Sequence, residues 1–152
     1  MLSRSLAAWL AGVVTLALSA VIALAGRADY VGSATCTGCH VAAGKAWAAS
    51  AHAGAAAALG PRPKARCLGC HTTGDAPAGA SWFAEVGCEA CHGAGAGDAE
   101  DDVMRDPTLS RHLGLRDLSS PEARAQLCAR CHRTRTRRAP FDLEAALEAI
   151  RH

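Results

Sequence analysis

The chain has 152 residues, with 16 Lys and Arg against 14 Asp and Glu and a formal net charge of +2. This near balance lacks the basic excess of a nucleic-acid binder, so nucleic acid is not an expected partner. Half of the residues are hydrophobic, yet only 4% are aromatic, so side chains alone would build a thin core.

The N-terminus carries Arg4 in a short polar segment and then runs apolar from Leu6 to Ala25, with no further charge until Arg27. Ala23 and Ala25 stand before Gly26 as an Ala-x-Ala cleavage signal, so residues 1–25 are expected to be an export signal peptide. The alternative is an uncleaved N-terminal anchor, since the apolar run is close to the roughly 20 residues that cross a bilayer. A membrane is a partner only in that second case. Either way the expected location is periplasmic, and residues 26–152 make one domain on the usual size prior.

Cys36-Thr37-Gly38-Cys39-His40 is the first of four Cys-x-x-Cys-His motifs, followed by Cys67 to His71, Cys88 to His92 and Cys128 to His132. All eight cysteines fall inside these motifs. The spacing is that of a c-type haem attachment site. Two thiols three residues apart on a helical turn each form a thioether to a haem vinyl group, and the next residue turns its imidazole to the iron. Paired Cys-x-x-Cys units also hold structural zinc, act as redox dithiols or form disulfide frameworks. A zinc ribbon needs no histidine after each second cysteine, and a disulfide scaffold has no reason to repeat one short loop four times. The expected cofactors are therefore four haems c with their iron. Cys36, Cys39, Cys67, Cys70, Cys88, Cys91, Cys128 and Cys131 are the attachment residues, and His40, His71, His92 and His132 the proximal ligands. The haems would supply the missing apolar bulk. The expected fold is mainly α, a small multihaem cytochrome c fold of short helices and loops wrapped round four covalent haems, with little or no sheet.

Val41 to Leu59 is alanine-rich, free of proline and ended by Gly60-Pro61, which predicts one helix. On a continuous helix His40 and His52 would lie about 18 Å apart, so they cannot ligate the same iron, and His52 must reach another. Pro61 to Arg66 reads as a basic linker and Thr72 to Gly79 as a turn-rich loop. Ser81 to Val86, with Trp82 and Phe83, is expected to pack against a macrocycle. Asp98, Glu100, Asp101, Asp102 and Asp106 read as a solvated acidic loop, whose spacing does not match a calcium site. Ser120-Pro121 is a helix start leading into the fourth motif. Arg133, Arg135, Arg137 and Arg138 form a basic strip, read as a solvated face or as a docking site for an acidic redox partner. Phe141, Leu143, Ala146, Leu147 and Ile150 recur as one face of a short amphipathic helix that delivers His152.

Tyr30-Val31-Gly32-Ser33, the first motif and Trp47 through His52-Ala53 resemble the opening of the cytochrome c-554 family of multihaem cytochromes. Cys67 through Gly74, Val86 through Gly93 and Phe141 through His152 are similar to later family segments in the same order. The resemblance implies a mostly helical tetrahaem electron carrier. It also implies that His112 is the distal ligand of the His40 haem, His152 that of the His92 haem and His52 that of the His132 haem. The family usually has Gly-Pro-Gly and then a ligand histidine after the third motif, whereas this chain has Gly93-Ala94-Gly95 and no histidine before His112.

Seven histidines cannot give four irons two imidazoles each. Met104, the sole methionine besides Met1, lies in the acidic run, where a methionine usually packs rather than coordinates. One haem is thus expected to be five-coordinate, and the resemblance implies that it is the His71 haem. Two function classes follow. One is an electron-transfer protein serving redox partner proteins. The other is a reductase or oxidase of a small nitrogen or sulfur compound, with a small diatomic ligand at the His71 haem. No Cys-x-x-Cys-Lys motif of the multihaem nitrite reductases is present, which favours the first.

Overall fold

The structure is a computed structural model that describes residues 29–74, 82–132 and 141–152. The leader at 1–25, most of the loop from Thr72 to Gly79 and the strip from Arg133 to Arg138 lie outside the described residues. Among the described residues no helix is long and apolar enough to cross a membrane.

The chain is mainly helical. Its α-helices are α1 (Ser33–Cys39), α2 (Val41–Ala48), α3 (Ala65–His71), α4 (Cys88–His92), α5 (Asp101–Met104), α6 (Pro107–His112), α7 (Pro121–His132) and α8 (Leu143–Ala149). One 3-10 turn spans Ala57–Leu59. The strands β1 (Thr73–Gly74) and β2 (Trp82–Phe83) make a two-stranded antiparallel ladder with Thr73 opposite Phe83.

The single helix expected from Val41 to Leu59 is not formed. α2 stops at Ala48, where Ser50 Oγ donates to Trp47 O at 2.7 Å, and two carbonyls beyond it bond outward. Val86 N–H donates to His52 O at 3.2 Å. His71 Nδ1 lies 2.7 Å from Ala55 O. Alanine propensity, worth tenths of a kcal/mol per residue, loses to these tertiary bonds. The 18 Å separation argued from a continuous helix therefore does not apply.

The acidic run is also more ordered than a solvated loop. Asp101 and Asp102 occupy the first turn of α5, and Asp106 caps α6 by accepting from Thr108 N at 2.9 Å and Leu109 N at 3.1 Å. Ser120 starts α7 as expected, its Oγ accepting from Ala123 N at 3.0 Å. Asp142 caps α8 through Ala145 N at 3.1 Å.

The interior is polar. Among the described residues Leu68 is the buried apolar side chain, beside Ser33, Thr72, Thr73, Glu89 and Ser110. Each of these five polar side chains has a partner, as interiors require, whereas Asp98 Oδ1 is buried without one among the described residues. Ser33 Oγ accepts from Cys88 N at 3.2 Å, Thr73 Oγ1 accepts from Gly87 N at 2.8 Å, and Ser110 Oγ donates to Val103 O at 2.8 Å. These bonds join the first motif to the third and α5 to α6.

Candidate haem-attachment centres

All four motifs stand on helical turns that end at the histidine or just before it. α3, α4 and α7 end on His71, His92 and His132, and His40 follows α1 as its C-cap. Each ending has a local cause. Thr72 turns extended at φ −135° after α3, and Gly93 takes φ +100° after α4. That backbone suits glycine, and a side chain at position 93 would also collide with the Gly114 carbonyl. Arg116 closes the same turn, its Nη1 donating to Ala90 O at 2.8 Å and Cys91 O at 3.0 Å.

Two of the three non-motif histidines face a motif histidine. The rings of His52 and His132 have centres 6.1 Å apart and planes inclined by 58°. For His92 and His152 the values are 6.0 Å and 64°. Two imidazoles on opposite sides of one metal, each at the ~2 Å of a metal–imidazole bond, have ring centres about 6 Å apart. Both spacings match that geometry. Burial, and then His132, lowers the His52 pKa from its ordinary 6.5. Burial, then His152 and His40, lowers that of His92. A depressed pKa keeps the imidazole neutral, which is the form that binds metal.

His71 and His152 show which ring nitrogen is free. His71 Nδ1 lies 2.7 Å from Ala55 O and His152 Nδ1 lies 2.9 Å from Ile150 O. A carbonyl only accepts, so Nδ1 carries the proton in both rings and Nε2 presents a lone pair. Orientation by a backbone carbonyl is the usual second partner of a metal-ligating histidine.

His40 and His112 are both exposed, and no ring contact between them is formed. The Arg105 guanidinium pKa is raised, first by its hydrogen bond to Asp101 and to a lesser degree by Cys39, so the residue that follows α5 lies within electrostatic reach of the first motif. α6 packs on α5, and Met104 is the last residue of α5.

The thiols link the motifs in the order first, third, fourth, second. Cys36 bonds to Cys88, and burial followed by Cys88 and Glu89 pushes the Cys36 pKa up to about 11. Burial followed by Cys128 raises Cys91. Burial followed by its bond to Cys70 pushes Cys131 up to about 12. These sulfurs sit where a thiolate is disfavoured and a neutral thiol or thioether is accommodated. None of the eight is bridged to another.

Glu89 has a role that the motif pattern did not disclose. It is 2% exposed and lies between the two cysteines of the third motif. Its carboxylate accepts from Val31 N at 3.0 Å, Gly32 N at 2.8 Å and Gly95 N at 2.7 Å. The segment entering α1 and the glycine loop after α4 are thus fastened to one side chain. The only hint in sequence was an acidic residue inside an attachment loop.

The residues fit haem. One cleft is lined by Cys88, Cys91, His92 and His152, with His52, Trp47 and Ile150 among its other walls, so both cysteines of the third motif share it with the facing His92 and His152 and with a third imidazole. Among the described residues no three His, Cys, Asp or Glu side chains converge on one point, whereas a structural zinc site needs four ligands in a tetrahedron. A protein-family model described as cytochrome c554 and c-prime matches residues 35–93. That span holds the first three motifs and is less than half of the chain. The match agrees with the resemblance and supports covalently bound haem c, with its iron, and a role in electron transfer. Comparison with curated proteins and with solved structures gave no match.

Proposed function

We propose that the chain is an exported, periplasmic electron-transfer protein carrying four covalent haems c. The bound irons would supply one-electron chemistry, cycling between ferric and ferrous. Cys36 with Cys39, Cys67 with Cys70, Cys88 with Cys91 and Cys128 with Cys131 would hold the groups. His40, His71, His92 and His132 would be their proximal ligands, with His52 opposite His132 and His152 opposite His92. The observation that carries this reading is the pair of imidazole spacings of 6.1 and 6.0 Å, each joining one motif histidine to one outside the motifs. A bis-imidazole centre leaves no free position for a substrate, which favours transfer over activation. His112 is the remaining candidate for the His40 centre, supported by its place on α6, which packs on α5, and by the electrostatic reach from Arg105, the C-cap of α5, to Cys39. Redox partner proteins would be its clients, and the membrane a partner only if the leader is retained.

A second reading concerns His71, for which no distal histidine is left. A cavity of about 300 Å³ adjoins α3, lined by Ala56, Ala57, Leu59, Leu68, Thr72 and Ala84 among others. These walls would admit a small apolar diatomic ligand. Carbon monoxide and nitric oxide titrations of the reduced protein separate the two readings. Perturbation of one haem in four, with no turnover of nitrite or hydroxylamine by reduced viologen, is the expected result. Turnover would establish the enzyme reading, and four centres that bind neither gas would remove the open position.

A further inference from the structure

We infer that Phe141 is a positioning residue, whose ring lies flat on the His132 imidazole and fixes the angle between the two axial ligands of the fourth haem. This rests on the assignment of His52 and His132 to one iron. The Phe141 and His132 rings have centres 4.2 Å apart and planes inclined by only 16°. The same ring faces His52 at 6.1 Å and 58°. His132 therefore neighbours two rings, one parallel to it and one steeply tilted.

An imidazole bound through one nitrogen keeps one soft freedom, rotation about its bond to the metal. His71 and His152 lose it through Nδ1–H bonds to carbonyls. For His132 the flat contact with Phe141 does this, because turning the imidazole would drive its edge into the phenyl face. Aromatic pairs hold preferred geometries of this kind, and outer partners of ligating histidines set ring orientation. The backbone beside Phe141 is held in place, since the next residue, Asp142, caps α8 through Ala145 N. The third centre is an internal control. Its rings, His92 and His152, have no phenyl or indole stacked on them among the described residues.

The g values of a low-spin ferric haem report the angle between its axial imidazole planes, so electron paramagnetic resonance of the four-haem protein is the test. His52→Ala first identifies the fourth-haem signal as the low-spin signal that it abolishes. Phe141→Leu is then expected to move and broaden that signal, while the signal of the His92 centre stays unchanged. Phe141→Met, which keeps bulk without a flat face, is expected to do the same, and Phe141→Tyr to retain the original spectrum. Phe141 is 41% exposed, and Cys128 and Cys131 keep the haem attached, so these variants are expected to fold. A Phe141→Leu signal of unchanged position and width would overturn the inference. If His52→Ala abolished no low-spin signal, the ligand assignment itself would fail and the inference with it.

Discussion

The histidines divide by what surrounds them. His52 and His92 are partly buried, lowered in pKa and opposed by the exposed imidazoles of His132 and His152, whereas His40 and His112 are exposed and face no imidazole among the described residues. Replacing His52, His112 or His152 by Ala is expected to convert one low-spin haem to high spin, read by electron paramagnetic resonance, and leave the others as they were. An unchanged spectrum removes that residue from the ligand set. Glu89 makes a different prediction, because Glu89→Ala leaves three N–H groups without their acceptor. At about 1 kcal/mol or more for each unmade bond, the cost is about 3 kcal/mol, measured by denaturant unfolding of the haem-loaded protein. The four Cys-x-x-Cys-His motifs were legible from spacing alone, because covalent haem attachment requires its residues to be adjacent in sequence. Glu89 was not, since its partners Val31 and Gly32 are remote from it along the chain and only the fold brings them together.

At the scale of elements, the helices that sequence anticipated correctly carry their own start signals. Ser120 caps α7 where Ser120-Pro121 predicted its start, and Asp142 caps α8, which begins at Leu143, just inside the stretch expected from Phe141. Ser120→Ala is expected to cost about 1 kcal/mol, seen as a lower unfolding midpoint with the four haems still attached. The stretch from Val41 to Leu59 was misread because propensity was its only evidence. The one local mark of the break after Ala48 that the fold shows is the Ser50 hydroxyl, which donates to the Trp47 carbonyl. The break otherwise arises from the remote Val86 N–H and the His71 ring, which take the carbonyls of His52 and Ala55. The turn after α4 is more exacting. Gly93→Ala must place a Cβ at φ +100° against the Gly114 carbonyl. It is expected to cost at least the ~1–2 kcal/mol of a left-handed L-residue and to loosen His92, so its low-spin signal should broaden. A Gly93→Ala protein of unaltered stability and spectrum would show that this turn does not hold the ligand.

Taken whole, the molecule has short helices, a ladder of two-residue strands and, among its described residues, one buried aliphatic side chain. Side-chain burial on that scale does not offset the entropy of ordering a domain. The mainly helical, sheet-poor class was readable from the scarcity of aromatic residues and from four short helical motifs. The order in which the motifs adjoin was not, because it depends on contacts such as Cys36 with Cys88 and Cys70 with Cys131. Changing Cys67 and Cys70 together to Ala should remove one haem and leave three, since each motif attaches its own. The most direct measurement is the intact mass of the protein matured with haem-attachment machinery. The account predicts the polypeptide mass plus four covalent haems, one for each of the four motifs. A polypeptide that carries zinc, or no covalent group at all, would contradict it.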